Sequence, residues 1–270
     1  MSRRLSIAAI AMAATFSMPA VFAQEQVSCP VSQAALRTAL VNAVAQSNGG
    51  LGLNMWATIV NREGYVCAVA RSGGTFQSQW PGSRVISAQK ANTANAFNLG
   101  PNSNAPGQSG SFGVAGLALS TANLFSAVQP GGSLYGLQHS NPVDTTNAYD
   151  GAALNFGTSG DPMVGRRVGG VNVFGGGLGL YDVNHRVVGG VGVSGDTSCT
   201  DHMIAWRVRN LLTLDHLTGV NGVSGDASRP DNIVFDITPN PDGGSGISTG
   251  GFGHPTCLNN PDPSTLPTVR

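Results

Sequence analysis

The chain has 270 residues, of which 38 are glycine and 15 proline, and only 10% carry a charged side chain, a low share for a soluble domain. The opening MSRRLSIAAIAMAATFSMPAVFAQE sets Arg3 and Arg4 before a short apolar run and ends in small residues at Val21 and Ala23, which predicts an export leader over residues 1–23 and a periplasmic or secreted mature protein. Without the leader, 14 basic and 14 acidic residues become 12 and 14, a net charge of −2 with Lys90 as the one lysine; this argues against a nucleic-acid partner, and no later run is long and apolar enough to span a membrane.

After Pro30, Ser32 is placed to cap a helix in which Leu36, Ala39, Leu40, Ala43 and Val44 repeat at the spacing of one buried face. Asn48-Gly49-Gly50 stops it. Two β-rich runs follow, Met55–Asn61 and Tyr65–Arg71, joined through Arg62-Glu63-Gly64 as a hairpin. Ser83 is expected to cap a second helix, RVISAQKANTANAFN, closed by Gly100-Pro101. Residues 101–116 are loop-like, and Ser120 is expected to open a short helix, TANLFSAVQ.

Residues 138–170 form a long irregular insert, a length that often carries function. VNVFGGGLGLYD and RVVGGVGVS then read as antiparallel strands around Val183-Asn184-His185, and a helix runs from about Thr200 to Leu214. Residues 221–270 are a Pro/Gly-rich extension with one strand-like run, NIVFDI. The order predicts a single α/β (α+β) domain over 24–220, an antiparallel five-stranded-type sheet with helices packed on it. GVSGDAS at Gly222–Ser228 echoes GVSGDTS at Gly192–Ser198, but Arg229-Pro230 stands where the first copy begins its helix. Reused turn chemistry accounts for the echo better than duplication.

The mature chain keeps Cys29, Cys67, Cys199 and Cys257. An even count in an oxidising compartment predicts two disulfides, and four cysteines allow three pairings. Cys29–Cys257, tying the ends together, with Cys67–Cys199 inside the domain, is the expected arrangement. No C-x-x-C supports a zinc ribbon.

GVGVSG at Gly190–Gly195 fits the dinucleotide fingerprint G-x-G-x-x-G. A phosphate site needs the first glycine in the turn after a parallel strand, whereas Gly190 and Gly192 fall inside a strand. Glycines in a strand instead let a helix or a flat ligand approach the backbone, and Gly175-Gly176-Gly177 with Gly189-Gly190 make such a smooth patch. No G-x-S-x-G elbow or H-E-x-x-H pair supports a hydrolase. Of His139, His185, His202, His216 and His254, His139 in the long insert is the least easily read as a solvated or capping residue. Lys90 shares a helix stripe with Ile86, Thr93 and Phe97. Its ammonium is expected at a cleft or rim, where it could pair with a ligand carboxylate.

Three stretches, WATIVNREGYVCAVARSG (Trp56–Gly73), ISAQKANTANAF (Ile86–Phe97) and GGGLGLYDVNHRVVGGVGVSGDTSCTDH (Gly175–His202), together resemble the GlcG/HbpS family of haem-binding, haem-degrading-like proteins. Lys90 matches that family's helix lysine, and Gly189, Gly192, Ser194 and Gly195 match its glycine block. The resemblance implies a homo-oligomeric α/β domain enclosing a pocket for haem or another small planar cofactor, used for sequestration, transport or sensing. Lys90, Gly176, Gly177, Gly190 and His139 are the ligand-binding candidates. The chain departs from the family's pattern where Leu178 or Gly179 replaces a proline and where His202 replaces an acid. By donor type, His139, His202 and Tyr149 are the candidate iron ligands. An enzyme acting on a small carboxylate or aromatic substrate over Lys90 is the alternative, and a ligand-free structural oligomer a further one.

Overall fold

The computed structural model describes residues 28–101 and 116–270. The expected leader and nearly all of the 101–116 loop lie outside them. Helix α1, Gln33–Val44, starts where the Ser32 side chain accepts from the Ala35 amide, and Leu36, Ala39, Leu40 and Ala43 are its buried face. The Asn48 amide then donates to the carbonyls of Ala43 and Val44 and closes the helix end.

Strands β1 (Trp56–Asn61) and β2 (Val66–Arg71) form the first hairpin. Gly64 takes φ +84° in its turn, and the Asn61 carboxamide accepts from the amides of Glu63 and Tyr65. Helix α2, Ser83–Ala96, begins one residue earlier than expected: Gly82 precedes it, and Ser83 is its first residue and buried. The expected third helix shrinks to α3, Leu124–Ala127; Ser120 and Asn123 cap each other, the Asn123 amide donating to the Ser120 hydroxyl and the Ser120 amide to the Asn123 carboxamide, and the turn they close precedes the helix. Within the insert only α4, Thr145–Ala148, and a single 3₁₀ turn are regular. Strands β3 (Gly177–Tyr181) and β4 (Val187–Ser194) make the second hairpin, and α5, Ser198–Leu211, is capped by Thr197.

Among the described residues the main sheet has four strands, not five, in the order β2-β1-β4-β3, all antiparallel. The strand-like run 232–237 yields only a two-residue β5, Ile237–Thr238, which pairs with β6, Ile247–Ser248, apart from the main sheet. The start of that run spends its backbone groups elsewhere: the Asn123 side chain donates to the Asn232 carbonyl, and the Ile233 amide donates to His202. A strand without free ladder groups cannot join the sheet.

Alternation along the strands sorts the sheet into two faces. Ala57, Ile59, Val191 and Val193 turn to α1 and α5, together with Leu36, Leu40, Met203 and Ile204. Trp56 and Val60 turn to the α2 side, with Val85, Ala88 and Ala91. Three layers result, helix on sheet on helix pair.

The α2 layer is unusually close. A Cβ at Gly190 would lie 2.3 Å from the Ala91 carbonyl, and one at Gly192 would lie 2.0 Å from the Ser87 carbonyl. Both contacts are with backbone, so the helix rests on bare strand and nothing can yield by a rotamer change.

The disulfides are Cys29–Cys67 and Cys199–Cys257, which corrects the expected Cys29–Cys257 and Cys67–Cys199. Helix α1 packs on β2, which delivers the residues just before it to Cys67, where the β1–β2 register slips by one residue. The extension crosses the first turn of α5, where the Cys199 amide donates to Cys257. Each bridge ties a flanking segment to the domain interior, one to β2 and one to α5.

The extension 221–270 is packed against the core at 230–233 and 266–269 and leaves its middle exposed. Arg209 of α5 forms a fully buried ion pair with Asp231, the Trp206 indole donates to the Pro267 carbonyl at 2.9 Å, and Leu266 belongs to the main core cluster. No described helix is long and apolar enough to cross a membrane.

The α2–β4 contact gives a direct test. Gly192→Ala forces helix and strand apart and is expected to cost about 3 kcal/mol in urea unfolding, at the upper end for overpacking. An unchanged midpoint would show that α2 does not rest on β4 as described.

Candidate functional site

Where β4 ends and turns into α5, side chains from α2, α5, the 171–176 segment and the extension converge. Lys90 is fully buried there, donating to Asp201 Oδ2 at 2.6 Å and to the Val193 carbonyl at 3.1 Å. Asp201, in the first turn of α5, also accepts from the backbone amides of Gly195 and Asp196 at 3.1 and 3.0 Å through Oδ1. Burial pushes the Asp201 carboxyl up to about 6 and the Lys90 ammonium down, each against the pull of the other's charge. At neutral pH the carboxyl is still ionised, and the pair is held by three donors aimed at one carboxylate.

The expectation for Lys90 at a cleft or rim is therefore corrected. Its ammonium is consumed by Asp201 and does not reach a ligand carboxylate, and the small-substrate pocket over it falls with that placement. The smooth glycine patch is likewise filled. Gly190 lies under α2, a Cβ at Gly177 would meet the Thr121 side chain at 2.4 Å, and one at Gly176 would meet the Val193 carbonyl at 2.3 Å. Close packing, not a planar ligand, occupies Gly176, Gly177 and Gly190.

Two histidines lie buried beside the pair. His202 is fully buried on α5; its Nε2 is 3.2 Å from the Asn232 carboxamide oxygen and accepts from the Ile233 amide, while its Nδ1 has no hydrogen-bond partner. Burial pushes it down to about 4. His254 of the extension is 2% exposed, with Nε2 2.7 Å from the Ser198 hydroxyl and Nδ1 2.7 Å from the Pro255 carbonyl. The carbonyl can only accept, which assigns the proton to Nδ1 and leaves Nε2 to accept from Ser198. Burial also pushes His254 down to about 4.

Ser198 and His254 have the spacing of a hydroxyl and its base. The Ser198 oxygen also accepts from the Gly175 amide at 2.7 Å, and an imidazole at about 4 is a poor proton acceptor at neutral pH. The pair acts as a clamp between α5 and the extension.

The remaining candidates stand apart from this cluster. His139 is exposed, in a run of turns where its amide donates to the Gly136 carbonyl. Tyr149, at the end of α4, is 63% exposed. His185 is half-buried in its hairpin turn at φ +58°, with Nδ1 3.1 Å from the His216 carbonyl. Clefts of ≈ 280 and ≈ 460 Å³ lie elsewhere, on Arg37 and Arg71 and on Met203 and Arg207.

Haem needs an axial donor with a free lone pair facing an open slot. Buried His202 has its Nε2 engaged and no open face, whereas His139 and Tyr149 are exposed on the insert. Sequence reasoning passed over Asp201, Ser198 and His254. The one signal for the last was its spacing from a cysteine in His254-Pro255-Thr256-Cys257.

A four-stranded antiparallel sheet carrying a glycine-stripped strand, one helix on its bare face and two on the other, with a lysine–aspartate pair at its end, defines the class. Residues 31–209 match the family described as haem degrading protein HbpS-like, and the chain belongs to that family. Among solved structures it is similar to the Klebsiella pneumoniae protein ORFY, at 24% identity over 68% of this chain and 90% of that one, with a TM-score of 0.41. The PduOC–haem complex matches at 22% identity over 66% and 89%, TM-score 0.41. HbpS matches at 14% over 73% and 99%, TM-score 0.41. No curated protein sequence matches.

Two measurements test the site. Lys90→Met strands a buried carboxylate and is expected to lose about 3–5 kcal/mol of unfolding free energy, with much of it recovered in Lys90→Met/Asp201→Asn; equal losses in both would remove the pair from its central role. The second is pH dependence. Both histidines stay neutral in the folded chain and take up a proton on unfolding between about pH 6.5 and 4, so each lowers stability on acidification by up to about 1.4 kcal/mol per pH unit in that window. Asp201, raised to about 6, works in the opposite sense between about pH 4 and 6. The curve of His202→Asn, compared with that of the parent chain, isolates the histidine: it should be flatter between pH 6.5 and 4, and parallel curves would refute the neutral, buried assignment.

Proposed function

We propose that the protein binds haem at its surface, through the insert, as an exported sequestering, transport or sensing protein. Family membership supports the haem. The observation that carries the location is the exposure of His139, beside exposed Tyr135 in the same run of turns, while the glycine face and His202 are closed. The Tyr135 ring offers a planar, apolar ligand a stacking surface, and the His139 imidazole offers iron a nitrogen. Tyr149 is a second donor on the same insert.

A haem held from one side leaves its other face in water. A second copy of the chain would cover that face, in keeping with a homo-oligomer. When bound, haem would supply iron and a conjugated ring. The chain's own part is to present a donor atom to the iron and an apolar rest for one face.

Hemin titrated into the mature protein is expected to give a shifted Soret band saturating at a fixed ratio. His139→Ala should weaken binding at least ten-fold, and His202→Asn should leave it unchanged. A flat titration would sink the haem reading; loss of binding in His202→Asn with His139→Ala unaffected would sink the location.

A further inference from the structure

Cys199, Cys257 and His254 form a compact group whose ligand atoms all lie within 4.8 Å of one another. The two sulfurs are joined as a disulfide. His254 Nδ1 is 3.9 Å from Cys199 Sγ, close to the sulfur–nitrogen separation of about 3.5 Å between neighbouring ligands of a tetrahedral zinc with the usual bond lengths. We infer that this disulfide is the closed form of a redox-gated metal site, which on reduction takes a thiophilic divalent cation of the zinc class.

The inference stands apart from the haem reading. It uses Cys257 and His254 of the extension, beyond the residues that match the family. Opening the site requires a dithiol reductant. Its thiolate attacks the sulfur of Cys257, the more exposed residue of the two, and the Cys199 thiolate leaves. The reductant's second thiol closes its own disulfide and releases Cys257. Two electrons and two protons have then passed to the protein, giving two thiols. The cation binds both sulfurs as thiolates and expels both protons.

Local features favour that outcome. Cys199 sits in the first turn of α5, where the helix N-terminus stabilises a thiolate. The His254 ring is buried and held in place through both of its nitrogens. Ligation through Nδ1 moves the ring proton to Nε2, and Ser198 Oγ, 2.7 Å away, is in place to accept it, the arrangement that orients metal-bound histidines. The Pro255 carbonyl gives up its donor in exchange. Three protein ligands leave one coordination position open, and thiolate with imidazole selects zinc or cobalt over magnesium or calcium.

The test uses the full mature chain, oxidised or reduced with a phosphine that is then removed, with zinc bound per chain read by elemental analysis after dialysis. Cobalt(II) serves as the optical probe, through its thiolate charge-transfer band. The reduced protein is expected to bind one zinc tightly and the oxidised protein none. His254→Ala should weaken the reduced site at least ten-fold, and Cys29→Ser/Cys67→Ser should leave it intact. Near-UV circular dichroism follows the fold of each sample. Zinc absent from the reduced protein, bound equally by the oxidised one, or held as tightly by His254→Ala would each overturn the inference. So would a reduced protein that unfolds and is not refolded by zinc.

Discussion

Lys90 reaches from α2 past the end of β4 to Asp201 on α5, and neither charge meets water. Separating the two helices would expose each charge to an apolar interior without its partner, a cost far above that of an ordinary contact. The geometry exists only because α2 lies directly on the backbone of β4. A side chain at Gly190 or Gly192 would lift the helix, and the lysine would fall short. Bare strand and buried ion pair are two halves of one constraint.

The chain's few charges are used in the same way twice more. Arg84 of α2 donates to both oxygens of Asp161 in the insert, with the Ala148 carbonyl as a further acceptor. Arg209 of α5 grips Asp231 in the extension. Each pair fastens a segment of little regular structure to a core helix. Such pairs add modestly to net stability but penalise misplacement heavily, so they select one arrangement for segments whose composition would allow many. The low surface charge follows in part from this interior use.

Much of the architecture was legible in the order of residues. The Ser32 cap, the Gly64 turn and the β3–β4 hairpin follow from local chemistry, and local chemistry is what sequence displays. The same holds for placing Gly190 and Gly192 within a strand, which removed the nucleotide reading before any coordinates. What was lost depended on distant partners. Nothing near Lys90 announces Asp201, and nothing near His202 announces Asn232, so a buried lysine read as a rim lysine. The disulfide pairing failed for the same reason, since it depends on which segment crosses which helix. The extension, Pro- and Gly-rich, gave no sign that Leu266 would fill the main core.

That last contact bears on how the molecule comes into being. Leu266, Pro267 and Val269 close the core against α1 and α5, yet they lie far along the chain from both helices. The residues that seal the interior are distant in sequence from those they cover, so the core depends on contacts that close long loops. Folding that depends on such distant contacts is slow. Core and extension are therefore expected to gain and lose their structure together.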